Sequence, residues 1–382
     1  MKIGIVCYPT YGGSGVVATE LGLGLAKNGH QVYFITYQRP ARLTAFHENV
    51  YFHEVSSMAY PLFEYSPYET ALTSKLVDVI SFEKLDILHV HYAIPHAAVA
   101  FMAKQILASR GINIPIVTTL HGTDITLVGN DKSFSPVVEF SINNSDGVTA
   151  VSEYLRNETC NLFNIKNDIK VIYNFIDFDR FKKTDKEHFK KAIAPEGEKI
   201  LIHTSNFRKV KRVQDVIKVF KKVHDKIDSK LLLIGDGPER QGLEVLCRDM
   251  GLCDDIRFLG KQDAVEELLS LADVFIIPSQ NESFGLAALE AMACQVPVIS
   301  SDVGGLPEVN TDGLTGFVCK VGDTDTMAEK CLEILSSEKT HNQFKQNALA
   351  RAQEFNLDKI LPQYVSYYEE LIMANAALNS KL

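Results

Sequence analysis

Two glutamates, Glu282 and Glu290, bracket the run Ser283-Phe284-Gly285-Leu286-Ala287-Ala288-Leu289. The run follows a strand-like segment, Asp273–Ser279, and opens a helix-like one. N–H groups at a helix start have no partner within the helix and stand ready for an anion. A carboxylate in the loop just before that start needs a reason of its own. Capping the positive helix end is the plain one, and a place in a ligand site is the other.

Three further clusters have chemical meaning. Asn206-Phe207-Arg208-Lys209-Val210-Lys211-Arg212 puts four cations within one turn after a strand. A solvated basic face is the default for such a run, and phosphate capture is the functional alternative. Tyr11-Gly12-Gly13-Ser14-Gly15-Val16 lies between the first strand and first helix. Glycines there let backbone approach a ligand. Read through Gly13, Gly15 and Ala18 it matches the dinucleotide fingerprint. However, Ile35-Thr36-Tyr37-Gln38 lacks the acidic residue that would hold a ribose, so an NAD-type site is disfavoured. Finally, His89-Val90-His91-Tyr92 and Thr118-Thr119-Leu120-His121-Gly122-Thr123-Asp124 each leave a strand, with Thr119 and His121 on one face. No H-x-x-x-H or H-E-x-x-H spacing accompanies them, so metal ligation is weakly supported. The D-x-D matches Asp177-Phe178-Asp179 and Asp323-Thr324-Asp325 fall at segment boundaries, where turns are common.

These clusters must be held by regular elements. Lys2–Tyr8, Gln31–Tyr37, Ile87–His91, Ile116–Leu120 and Gly147–Val151 read as buried strands, with a helix over Val16–Asn28 closed by Gly29. In the second half, Lys199–Thr204, Lys230–Ile234, Ile256–Leu259, Val274–Ile277 and Pro297–Ser300 are strands. Helices near 212–227, 239–250, 263–271 and 285–294 alternate with them. Continuous apolar strands separated by helices predict α/β architecture: two doubly wound, Rossmann-like parallel sheets facing a cleft. The polar, Lys-rich stretch 165–198 holds the junction, near Asn174–Asp177. The expected division is 1–168, with a C-terminal helix about 360–382 packing back on it, and 169–359.

Composition narrows the function. The chain has 382 residues, 46% apolar and 23% charged, which suits a soluble two-domain protein. A net charge of −9 argues against nucleic acid as partner. Seven scattered cysteines without a C-x-x-C suggest reduced thiols in a cytoplasmic protein. No signal peptide and no apolar run long enough to cross a membrane is expected. Ala59–Tyr68 is aromatic but carries almost no cations, which weakens a membrane-surface role.

Taken together, the glycine loop, the basic turn, Gly235-Asp236-Gly237-Pro238, the Glu282/Glu290 pair and Gly304-Gly305-Leu306-Pro307-Glu308 resemble the retaining GT-B glycosyltransferases related to sucrose and glycogen synthases. The runs Gly12–Gly15, His91–His96, Thr118–Asp124, Tyr173–Asp177 and Ser205–Arg212 are similar to a malate-using branch of that family. The resemblance implies transfer of N-acetylglucosamine from UDP-GlcNAc to the hydroxyl of L-malate, with retention at the anomeric carbon, as in the first step of bacillithiol synthesis. It implies no metal cofactor.

Position by position, the resemblance implies that Glu290 holds ribose hydroxyls and Glu282 contacts the transferred sugar. It places backbone at Ser283, Phe284, Gly285 and Leu286 near the sugar or diphosphate. Lys211 neutralises the diphosphate, aided by Gly13, Gly15 and Arg208. Asn206 stands where the wider family has an arginine, with Arg208 two residues on. His121 lies beside the reacting centre, and Ser14, Arg42, Tyr92 and Thr119 take the malate carboxylates. Backbone around Leu259–Lys261 meets the uracil. Competing readings are a transferase of the same fold with a sugar or lipid-linked acceptor, a nucleotide-sugar binding module, and an NAD-linked oxidoreductase. Homo-oligomerisation is left open.

Overall fold

The computed structural model describes residues 1–56, 66–129 and 131–379. Most of the aromatic stretch Ala59–Tyr68 lies outside them. The chain divides into two compact units, 1–175 with 357–382, and 176–356.

The first unit runs β1 (Lys2–Val6), α1 (Gly13–Lys27), β2 (Gln31–Thr36), β3 (Val50–Glu54), α2 (Tyr68–Glu83), β4 (Ile87–His91), α3 (Ala98–Ala108), β5 (Ile116–Leu120), α4 (Ser135–Asn143), β6 (Gly147–Ala150), α5 (Glu153–Leu162) and β7 (Ile169–Val171). Its seven strands are ordered β3-β2-β1-β4-β5-β6-β7 and every pairing is parallel. The division expected at residue 168 moves accordingly. Ile169–Val171 pairs with β6 and closes the first sheet, so the chain leaves this unit between Phe175 and Ile176. Three residues are too short a run for hydropathy to single out.

The second unit runs α6 (Glu187–Ile193), β8 (Lys199–Thr204), α7 (Val213–His224), β9 (Ser229–Ile234), α8 (Arg240–Asp249), β10 (Ile256–Gly260), α9 (Val265–Leu269), β11 (Val274–Ile277), α10 (Leu286–Ala293), β12 (Val298–Ser301), α11 (Leu306–Val309), β13 (Gly316–Cys319), α12 (Thr324–Leu335) and α13 (Glu338–Ala352). The six strands are ordered β10-β9-β8-β11-β12-β13, again all parallel. Both strand faces are buried: Ile200, Leu201 and Ile202 of β8 are fully inaccessible, as are Val274, Phe275 and Ile276 of β11. That is why these strands read as unbroken apolar runs.

The last helix, α14 (Leu357–Asn379), belongs to the first unit. Tyr364 and Tyr368 on it are fully buried, the Tyr368 hydroxyl lies 2.7 Å from His89 Nδ1, and the Tyr367 hydroxyl accepts from the Val148 N–H at 3.2 Å. Among the described residues, no helix is long and apolar enough to cross a membrane.

Both sheets reverse their winding at one place: between β1 and β4 in the first, and between β8 and β11 in the second. Loops leaving adjacent strands diverge to opposite faces there and open a crevice at the carboxyl ends, where ligands bind in open α/β sheets. The glycine loop and the His91-Tyr92 exit sit at the first of these points and the basic turn and the Glu282 loop at the second, while Thr118–Asp124 leaves the neighbouring β5.

Candidate active site

In the second unit the two diverging loops are 205–212 after β8 and 278–285 after β11. Phe207, fully buried, plugs the first loop into the core. Its N–H donates to the Asp236 carbonyl at 3.0 Å, and its carbonyl accepts from the Glu239 N–H at 2.9 Å. A short 3-10 turn, Lys209–Lys211, follows, and Arg212 adopts a left-handed conformation (φ 49°) that turns the chain into α7.

This geometry sorts the four cations. Arg212 is drawn back to Asp215, a buried carboxylate at 2.6 Å. Arg208 and Lys209 are exposed. Lys211 instead reaches the second loop: its Nζ donates to Glu282 Oε1 at 2.5 Å. The Ser279 hydroxyl donates to the same oxygen at 3.0 Å, and the Gln280 N–H donates to the Val210 carbonyl at 2.8 Å. Beneath them His203 is wholly buried, with Nδ1 donating to the Ile276 carbonyl at 2.7 Å and Nε2 2.8 Å from the Ser205 hydroxyl. Burial, with the Lys211 charge adding to it, pushes His203 down to about 4, so it is neutral near pH 7.

Glu282 and Glu290 do not share a continuous helix. Gly285 (φ 99°) is the cap where α10 begins, so Glu282 lies in the loop and Glu290 lies in the helix. Leu286, Ala287 and Glu290 are the partly exposed positions among residues 286–290, which puts Glu290 one turn below the helix start on the same face. Ser283 is partly exposed and Phe284 is buried with its ring edge-on to Phe355. The backbone of Glu282 is fixed from behind: its carbonyl accepts from the Gly305 N–H at 2.9 Å. Asn206 is exposed at the start of the basic loop.

In the first unit the diverging loops are 7–12 after β1 and 92–97 after β4. A Cβ on Gly15 would sit 2.4 Å from both the Tyr8 and Thr10 carbonyl oxygens, so only glycine lets the β1 loop fold over the start of α1. Gly13 and Ser14 occupy the first turn of α1. The Ser14 hydroxyl lies 2.6 Å from the Tyr92 hydroxyl and bridges the two loops. Burial pushes the Tyr92 phenol up to about 12, so it stays protonated.

The other expected acceptor residues are already engaged. The Arg42 guanidinium pairs with Glu20 on α1. Thr119 is fully buried, its hydroxyl 2.6 Å from His89 Nε2 and 2.7 Å from the Thr149 hydroxyl. Thr119 therefore meets a ligand only by exchanging a partner, whereas the Arg42 guanidinium keeps further N–H groups beyond its contact with Glu20. His121 is partly exposed beside Tyr92, with ring centroids 5.2 Å apart, and its Nε2 lies 2.8 Å from His91 Nδ1.

Reasoning from sequence gave Asp124 no role, though it ended the quoted run. Its carboxylate is buried and accepts three backbone N–H groups: Ala93 at 2.9 Å on one oxygen, Gly122 at 3.0 Å and His121 at 3.3 Å on the other. It therefore clamps the β4 exit loop to the β5 exit loop. Burial outweighs those N–H groups and pushes its pKa up to about 6. Since the folded pKa exceeds the unfolded one, this group's contribution is fully present below the unfolded value of 3.8 and is lost as pH rises through about 6. The stability difference between the wild type and Asp124→Asn is therefore expected to shift toward the wild type between pH 7.5 and 4, by up to about 3 kcal/mol. Urea unfolding of both proteins across that range checks it; a constant difference counts against the buried, titrating carboxylate.

The carboxylates of both D-x-D matches make contacts within the protein. Asp177 accepts from the Asp179 N–H in a turn, while Asp323 caps α12 and Asp325 pairs with Lys222. No group of three or more potential metal-binding side chains occurs among the described residues.

Residues 11–180 match the family model described as Glycosyltransferase Family 4, and residues 184–351 match the one described as Glycosyl transferases group 1. Over 374 residues the chain is 50% identical to the N-acetyl-alpha-D-glucosaminyl L-malate synthase of Bacillus anthracis, with 97% of each chain covered. The chain belongs to the GT-B glycosyltransferases. The transferase is also 30% identical to an uncharacterized glycosyltransferase of Methanocaldococcus jannaschii, over 97% of this chain and 98% of that one. Among solved structures it is similar to the sucrose-phosphate synthase of Thermosynechococcus elongatus, at TM-score 0.81 and 21% identity over 98% of this chain and 100% of that chain. It is likewise similar to Anabaena HepE in complex with UDP-glucose, at TM-score 0.81 and 21% identity over 97% and 100%. At that identity these likenesses show the fold.

Proposed function

We propose that the chain transfers N-acetylglucosamine from UDP-GlcNAc to the hydroxyl of L-malate with retention, as the first step of bacillithiol synthesis in the cytoplasm. The observation that carries this reading is the 50% identity, over 97% of both chains, to a protein named for that product. In the second unit, Glu290 holds the ribose, the first turn of α10 and Lys211 receive the diphosphate, and Glu282 orients the sugar. Asn206, Arg208, Ser283, Phe284, Gly285 and Leu286 complete the donor side. In the first unit, Ser14, Tyr92, Thr119 and Arg42 receive the malate carboxylates, while Gly13, Gly15 and His121 face the donor.

The chemistry follows from charge. As UDP leaves, negative charge grows on its phosphate oxygen and positive charge on the anomeric carbon. Preformed donors aimed at the oxygen stabilise that transition state. Lys211 is held in place by Glu282 beforehand, so little reorganisation accompanies the step. Arg208 adds exposed positive charge to the same loop.

The deciding experiment is UDP release from UDP-GlcNAc with L-malate, without it, and with an uncharged hydroxy compound of similar size. Release that depends on L-malate is expected. Equal release with the uncharged compound removes the malate assignment, and binding without turnover favours a nucleotide-sugar module. Since donors on the protein serve the leaving group, EDTA is expected to leave the malate-dependent rate within about twofold. A loss restored by divalent metal would overturn the metal-free mechanism.

A further inference from the structure

We infer that His91 is a positioning residue for His121: its Nδ1–H donates to His121 Nε2 and holds His121 as the Nδ1–H tautomer, a neutral hydrogen-bond donor toward the substrates. Its kinetic consequence rests on the proposed reaction, whereas the tautomer is a property of the first unit alone.

The geometry begins with the 2.8 Å separation of His91 Nδ1 and His121 Nε2. The ring centroids are 5.1 Å apart and the planes 26° from parallel. Burial and the neighbouring imidazoles lower both pKa values, so both rings are neutral near pH 7 and each carries one N–H. Between two neutral imidazoles, one nitrogen donates and the other accepts. Only two arrangements exist.

The far side of His91 distinguishes them. His91 Nε2 is buried and has no hydrogen-bond partner. If His121 were the donor, His91 would carry its proton on that nitrogen, leaving an orphaned N–H in the interior. Orphaned donors are the rarer defect, and a buried donor without a partner bears its full desolvation cost. If His91 is the donor, the buried Nε2 is a bare lone pair. The next histidine along shows the same arrangement. His96 Nδ1 faces the His91 carbonyl at 2.6 Å, and a carbonyl only accepts, so the proton is on Nδ1. His96 Nε2 is then bare, and it too is buried without a partner.

The plane of the His91 ring is set from behind. His89 stacks on it at 4.4 Å between centroids. His89 is itself held at both nitrogens, by the Tyr368 hydroxyl at 2.7 Å and the Thr119 hydroxyl at 2.6 Å. The last helix of the chain thus reaches the substrate loops through His89, His91 and His121. In front, the His121 N–H and Gly122 N–H are fixed by Asp124, and the Tyr92 ring lies beside the imidazole. His121 Nδ1 has no partner among the described residues. As an N–H it offers a hydrogen bond to a lone-pair oxygen of a ligand, such as a hydroxyl or a phosphoryl oxygen. It cannot take the proton of an attacking hydroxyl at that atom, so His121 is a donor and not a general base.

Histidine-selective 15N NMR reads the tautomer directly, since protonated and bare imidazole nitrogens resonate far apart and their ring couplings differ. In the wild type His121 is expected to be protonated at Nδ1 between pH 6.5 and 8. His91→Asn, whose side-chain amide can donate from nearly the same place, should keep that tautomer and most of kcat. His91→Leu should lose the bias and lower kcat about tenfold, the size of one hydrogen bond, with KM for UDP-GlcNAc little changed. Wild-type His121 protonated at Nε2 overturns the inference, as does a His91→Leu protein with an unaltered tautomer. Should the leucine variant fail to fold, the wild-type spectrum and the asparagine variant decide. If malate proves not to be the acceptor, the spectra stand unaffected, so the two failures are distinguishable.

Discussion

Replacing Lys211 with alanine is expected to lower kcat/KM by on the order of 100- to 1,000-fold, the range for removing one preformed donor from a developing oxyanion. Two effects combine. In the proposed donor site, the leaving diphosphate loses the cation assigned to it. In addition, Glu282, whose side chain is 14% exposed, loses the ammonium that sits 2.5 Å from it. An uncompensated carboxylate beside an arriving dianion repels it. The second effect makes a specific forecast. Lys211→Ala combined with Glu282→Gln should lose less than the two single changes predict, because the glutamine removes the charge that the lysine had balanced. Steady-state UDP release and UDP affinity for the four proteins measure this. Near-wild-type kinetics for Lys211→Ala would sink the assignment of the donor site, and strict additivity would show that the pair does not act as a unit.

The second large effect is expected from a residue with no functional group. A Cβ placed on Gly304 would lie 1.7 Å from the Glu282 carbonyl oxygen, on a backbone at φ +60°. Nothing flexible can yield there, because the obstructing atom is main chain. Gly304→Ala must displace the loop that carries Glu282, and with it the Lys211 contact. A loss of UDP affinity of at least about tenfold is expected, as for other misplacements of a substrate-positioning group. Gly313→Ala supplies the control. Its φ of +71° is similar, yet nothing lies within 4 Å of the added carbon. That change should cost about 1 kcal/mol of stability and leave UDP binding intact. If the two variants behave alike in both melting temperature and UDP affinity, the close approach at Gly304 is not what holds the loop.

The elements were legible because their signals are local. Unbroken apolar runs such as Val274–Ile277 report burial on both faces, and glycines at turns report backbone that other residues resist. Those signals lie within a few residues of the structure they cause. They sufficed for two parallel sheets, for Glu282 preceding its helix while Glu290 lies within it, and for the clusters standing at strand ends. The three-residue strand β7 escaped, and with it the expected division at residue 168, because so short a run has no period of its own. Side-chain partners are a different matter. Four cations in one turn look alike in sequence, yet Arg212 turns back to Asp215 while Lys211 crosses to a glutamate 71 residues away. His91 meets His121 across 30 residues, and Tyr368 meets His89 across 279. These pairings depend on which elements lie side by side at the carboxyl ends of the sheets, and strand order is settled by burial of the whole sheet. The sequence by itself therefore determined what kinds of groups stand at the strand ends. Only the tertiary structure decided which of them touch, because strands distant in the chain become neighbours only once the sheet has formed.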